Sequence, residues 1–148
     1  MCGRYTLFTD EEYQDIRKII RAVQEKGHEV KTGEIYPTNP APILVWEGKE
    51  TVPQAVKWGW PKFQGSGVLI NARAETAEEK NLFRKSVYTR RCVVPTTGFY
   101  EWDQEKAKYR FILPHANTLY LAGLYNEFQG ERRFLILTTE ANASVSFI

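Results

Sequence analysis

Apolar residues return at helical spacing over one long stretch of this chain: Tyr13, Ile16, Ile20 and Val23 fall on a single face. Thr9 followed by Glu12 has the form of a capping box and Gly27 supplies a stop, so the pattern predicts an amphipathic scaffold helix over about residues 9 to 26. Elsewhere the apolar positions alternate or run together over short stretches, as strands do. Ile43 to Trp46 and Thr51 to Trp58 read as a hairpin joined by Glu47-Gly48-Lys49-Glu50. Tyr109 to Leu113, Thr118 to Phe128 and Arg132 to Thr138 read as further strands, divided by Pro114-His115-Ala116-Asn117 and Gln129-Gly130 turns. Cys92-Val93-Val94 has the same character, and Cys92 reads as an inert core residue. A short helix is predicted over Asn81 to Val87, and residues 140–148 read as the opening of another.

Prolines 37, 40 and 42 forbid helix between Tyr36 and Pro42, which is therefore extended or turned. Gly59 and Pro61 hold the aromatic run from Trp58 to Phe63 in a loop. Those rings are either core or a platform on which bases stack.

Composition narrows the class. The 148 residues suffice for one domain with a real core, and 43% hydrophobic with 26% charged is ordinary for a globular protein. No apolar run is long enough to span a membrane, and no signal peptide opens the chain. Two cysteines, at 2 and 92, make neither a disulfide framework nor a zinc site, and no cofactor or metal is implied. A reducing, cytoplasmic location is expected. Residues 80–110 hold eight basic and three acidic side chains, so positive charge is concentrated there. It is either a solvated face or a surface for phosphate.

The chemistry is concentrated at Met1-Cys2-Gly3-Arg4. Once Met1 is trimmed, Cys2 carries a thiol and an α-amine on neighbouring carbons, with reference pKa values of about 8.5 and about 8. The amine can condense with an aldehyde and the thiol can then close a five-membered thiazolidine. Alternatively, the thiol is an acyl-transfer nucleophile with the amine as its base. As an extended segment, Asn71, Arg73 and Glu75 share one face, either a salt-bridged stripe or the lining of a polar site. Glu101 lies among aromatics on the Phe99 face, where burial would raise its pKa and suit it to acid–base work; the alternative is a glutamate satisfied by an arginine. His28 and His115 read as loop residues at the surface.

Met1-Cys2-Gly3-Arg4, Asn39-Pro40, Trp58-Gly59, Ile70 to Glu75, Gly98 to Trp102 and Thr138-Thr139-Glu140-Ala141-Asn142 together resemble the SRAP (SOS-response-associated peptidase) family, in its order and over essentially the whole chain. The resemblance implies an α+β fold, a mainly antiparallel β-barrel-like core with flanking helices. It implies a sensor of abasic sites in single-stranded DNA that crosslinks covalently through Cys2, with lyase and autoproteolytic chemistry attached. Carried over by position, Asn71 orients the sugar, Glu101 shuttles protons, and Arg4 and Arg73 hold phosphates. Pro40 and Phe63 form the wedge that splays DNA, Phe63 standing where the family has a tryptophan. Arg84, on the short helix of the basic segment, is grouped with the DNA contacts. The family motif continues to a catalytic histidine just after position 148, so a single domain lacking the C-terminal segment is expected. A monomer associated with the nucleoid is expected as well.

Two other readings compete. A glutaminase of the class II amidotransferase type also begins Met-Cys-Gly, but it commonly uses an Asn-Gly pair in its oxyanion hole, and this chain has none. A non-covalent single-stranded DNA binder would need only the basic segment and the loop aromatics.

Overall fold

A computed structural model describes residues 2–140. The strand-forming stretches fold into β1 (Arg4–Leu7), β2 (Gly33–Ile35), β3 (Pro40–Glu47), β4 (Glu50–Trp58), β5 (Trp60–Pro61), β6 (Val68–Leu69), β7 (Asn71–Arg73), β8 (Arg91–Thr96), β9 (Gly98–Trp102), β10 (Lys108–Phe111), β11 (Leu119–Phe128) and β12 (Glu131–Thr138). Two helices, α1 (Gln14–Glu25) and α2 (Asn81–Thr89), flank them. Strands β11, β8, β3, β4 and β12 pair in that order and β12 pairs back to β11, closing a five-stranded barrel. The pairings are antiparallel except β4–β12. The α+β, barrel-like architecture expected from the resemblance is the one observed.

The barrel has an inside because its strands alternate. Ala41, Ile43 and Val45 of β3, Cys92 and Val94 of β8, and Phe134 and Ile136 of β12 are buried in one cluster. Beside it lies a second antiparallel sheet in the order β10-β9-β1-β2. The chain passes between the two sheets at Thr97-Gly98, where Gly98 adopts φ 148° and an added Cβ would sit 2.9 Å from the Phe111 carbonyl oxygen. A second cluster, including Trp60, Phe83 and Leu135, packs α2 against the barrel's other face.

Helix α1 begins at Gln14, later than the sequence predicts, and no side chain caps it. The Thr9–Glu12 stretch is instead a turn, with Tyr13 N donating to Asp10 O at 2.9 Å. Asn117 Nδ2 takes the Glu12 carbonyl at 2.5 Å, and Tyr13 packs on the core beside Phe8. These long-range contacts outweigh the local capping signal. The other end follows its signal: His28 N reaches Val23 O and Gly27, at φ 84°, closes the helix. The prolines at 40 and 42 lie within β3, extended as expected. The apolar face of α1, with Ile16, Ile20 and Val23 buried, is the predicted one. No helix among the described residues is long and apolar enough to cross a membrane. The reading of residues 140–148 as a helix start lies almost wholly outside the described residues.

One barrel contact is close enough to test the packing. Gly123 of β11 stands opposite Cys92, and a Cβ there would lie 2.8 Å from Leu135 O and 2.9 Å from Cys92 Sγ. Gly123→Ala is expected to destabilise the fold by about 1–3 kcal/mol in denaturant unfolding. Because the nearest atom is backbone, adding Cys92→Ala is not expected to restore it.

Candidate functional site

The pairing of β1 with β9 builds the site. Its register sets Arg4 opposite Tyr100, Tyr5 opposite Phe99 and Thr6 opposite Gly98. Paired residues share a face, so Tyr5, Leu7, Phe99 and Glu101 face inward, while Arg4, Tyr100 and Trp102 face outward. Cys2 precedes the strand, and its side chain turns into the core, 6% exposed, in the same apolar cluster as Tyr5, Trp58 and Cys92. Its Sγ donates to Arg4 O at 3.5 Å.

Burial governs the chemistry here. It pushes the Cys2 thiol up to about 12, and the negative charge of Glu101 adds to the shift. The Glu101 carboxyl is itself raised by burial. Glu101 therefore lies near enough to Cys2 for its charge to bear on the thiol.

Asn71 reaches the site through a different element. Strand β4 runs along the edge of β12 as far as Trp58; from there β7 takes over that edge, with Asn71 in register with Ile136. Asn71 is 7% exposed; its Nδ2 donates to Ile136 O at 3.3 Å, while its Oδ1 accepts from none of the described residues. Trp58 links this position to β1. Its indole N–H donates to Ile70 O at 3.2 Å, and its ring lies 5.2 Å from that of Tyr5. Tyr5 is fully enclosed and its hydroxyl has no hydrogen-bond partner among the described residues. Burial raises that hydroxyl, with Cys2 and Cys92 adding to the effect. Sequence reading missed Tyr5 altogether; its place three residues after Cys2 is a signal only once the segment is known to be a strand.

The other expected residues divide by position. Arg4 is about a third exposed, its guanidinium 4.5 Å from the Tyr36 ring centroid and 5.2 Å from that of Trp102. Pro40 opens β3 at the surface, next to the 36–39 turn that Thr38 N and Trp58 N anchor through Trp58 O and Asn39 O. Arg73, 61% exposed in side chain, follows Asn71 on the same face of β7 and pairs with Glu75 at 3.7 Å. Glu75 itself lies past the strand end, held by Thr139 and Glu140, so the expected three-residue stripe is a pair followed by a clamp. Phe63 is 92% exposed in the loop between β5 and β6. Arg84 sits on α2, where its guanidinium donates to the carbonyls of Glu78 and Glu79, and no described contact joins it to Cys2. Among the described residues no cluster of His, Cys, Asp and Glu is placed to hold a metal ion.

The family described as SOS response associated peptidase (SRAP) matches residues 1–148. The chain is 34% identical over 162 residues to the abasic site processing protein YoqW of Bacillus subtilis (strain 168), spanning 96% of this chain and 70% of that protein. It is 30% identical over 158 residues to YoaM of the same organism, also an abasic site processing protein, spanning 96% and 69%. A crystal structure of a Bacteroides thetaiotaomicron protein superposes with TM-score 0.75 at 25% identity, covering 99% of this chain and 72% of that one. One from Bordetella bronchiseptica gives 0.72 at 22% identity, covering 97% and 75%, and shows the shared fold.

The raised thiol makes a direct prediction. At about pH 8 an ordinary cysteine is a substantial fraction thiolate, whereas a thiol raised to about 12 is almost wholly protonated. Alkylation of the folded protein by iodoacetamide, followed by mass spectrometry, is expected to be at least about 100-fold slower than in denaturant. Raising the pH should narrow the gap.

Proposed function

The chain belongs to the SOS response associated peptidase family, and on that footing we propose that it processes abasic sites in single-stranded DNA by capturing the opened sugar on Cys2 as a covalent thiazolidine. The observation that carries the reading is the inward placement of Cys2 beside the raised Glu101 carboxyl. The names of the curated relatives, abasic site processing proteins, support the substrate class.

The raised thiol sets the order of bond formation. Protonated at neutral pH, it is a poor first nucleophile, whereas the α-amine freed by loss of Met1 has a usable neutral fraction. The amine adds to the C1 aldehyde, and a protonated Glu101 donates to the departing hydroxyl, which leaves as water to give an imine. The imine keeps its N–H proton as an iminium; the Cys2 sulfur bonds to its carbon, the C=N π pair moves to nitrogen, and the S–H proton passes to the Glu101 carboxylate, restoring the acid. Aldehyde and aminothiol thus become thiazolidine and water. Asn71 Oδ1, without a partner among the described residues, accepts from a sugar hydroxyl, which fixes the electrophile in place. Arg4 and Arg73 hold flanking phosphates, and Pro40 with Phe63 splays the strand at the lesion. Arg84, engaged with the 78 and 79 carbonyls, is the least direct of the DNA contacts.

The test uses Met1-free protein and an oligonucleotide with one abasic site, read as a denaturation-resistant band on a gel. Cys2→Ala should abolish the band; equal adduct from this variant would sink the reading. Glu101→Gln should slow formation by about 10²-fold. Activity carried by protonated Glu101 is present below its raised pKa and lost as pH climbs through it. The wild-type pH–rate profile should therefore contain a limb that Glu101→Gln lacks.

A further inference from the structure

The outward face of the β10-β9-β1-β2 sheet carries a charge arrangement that the capture chemistry does not use. Glu34 of β2 stands opposite Thr6 of β1, on the same face as Arg4 and Lys108. A single carboxylate oxygen, Glu34 Oε1, meets both cations: Lys108 Nζ at 2.9 Å and Arg4 Nη1 at 3.3 Å. Around them stand aromatic faces. Arg4 lies between Tyr36 and Trp102, and Lys108 Nζ is 4.0 Å from the Tyr100 ring centroid. All three charged side chains are about a third exposed.

One anionic oxygen held by a guanidinium and an ammonium, with stacking surfaces on either side, is how a phosphodiester with its flanking bases would be held. We propose that Glu34 is an internal anion occupying a phosphodiester cradle formed by Arg4 and Lys108, and that single-stranded DNA displaces it to bind. The displacement is feasible because both ion pairs are partly solvated and individually weak. Lys108, Tyr100 and Trp102 join Arg4 as contacts, and Glu34 sets a threshold that a strand of backbone phosphates clears and isolated anions do not. This rests on the DNA reading above but not on its covalent step.

Non-covalent binding of a fluorescent single-stranded oligothymidine without an abasic site, followed by anisotropy across a salt series, separates the two. Glu34→Gln and, as a second variant, Glu34→Ala are expected to bind about two- to fivefold more tightly than wild type. Glu50→Gln, the same charge change at the β3–β4 turn, should leave affinity unaltered. Lys108→Ala should weaken binding and make the slope of log K against log salt shallower by about 0.7. Circular dichroism verifies that each variant is folded. Equal affinity of folded Glu34→Gln and Glu50→Gln, or no binding by wild type, overturns the proposal. Abasic crosslinking measured on the same samples reports separately on capture: an intact crosslink with no Glu34 effect removes the cradle alone. Tighter binding by Glu34→Gln without any crosslink removes the covalent step alone.

Discussion

The antiparallel register of β1 on β9 is the constraint on which the rest depends. Chain ends are ordinarily poorly ordered unless they are tied into a sheet. Here Arg4, Tyr5 and Thr6 are fixed against Tyr100, Phe99 and Gly98, and β2 pairs on the other edge, so the second residue of the chain is held in place from both sides. A slip of one residue would exchange the two faces, sending Tyr5 to solvent and Arg4 into the core. The buried Tyr5, Leu7 and Ile35 rule that slip out.

Because of that register, two chemically different surfaces lie back to back across one strand. The inner one is apolar, and burial there raises both the Cys2 thiol and the Glu101 carboxyl. The outer one is cationic and aromatic, where solvated side chains can exchange one anion for another. A strand of DNA that contacts the outer face through its backbone would need to turn only a sugar toward the inner one.

The barrel's contribution is positional. Trp58 is fully buried, touches the rings of Tyr5 and Phe134, and donates to Ile70 O, so it ties β1, β12 and the entry to β7 into one unit. Asn71 thereby acquires a fixed orientation, with its Nδ2 satisfied and its Oδ1 without a partner among the described residues. A buried acceptor without a partner costs folding free energy of about 1–3 kcal/mol. Such a cost is commonly retained where a ligand supplies the missing bond.

Much of this was legible beforehand. The apolar face of α1, the long strands, the core position of Cys92 and the shared face of Phe99 and Glu101 follow from period and residue type, which act through neighbours in sequence. So does the candidacy of Cys2, since an aminothiol is a property of covalent structure alone. The start of α1 was misread because Asn117, more than a hundred residues on, takes a carbonyl the helix would have used. The stripe from Asn71 to Glu75 was only partly right, because β12 ends at Thr138 and the chain after Arg73 turns to clamp Glu75. Composition and order along the chain thus determined which groups were available and which segments were strands. Which groups meet was decided only by pairing between distant strands: Cys2 with Glu101, Glu34 with Arg4 and Lys108, Asn71 with an edge of β12. Hydrogen bonds between strands and the burial of rings such as Trp58 select those partners, and neither has a counterpart in local sequence.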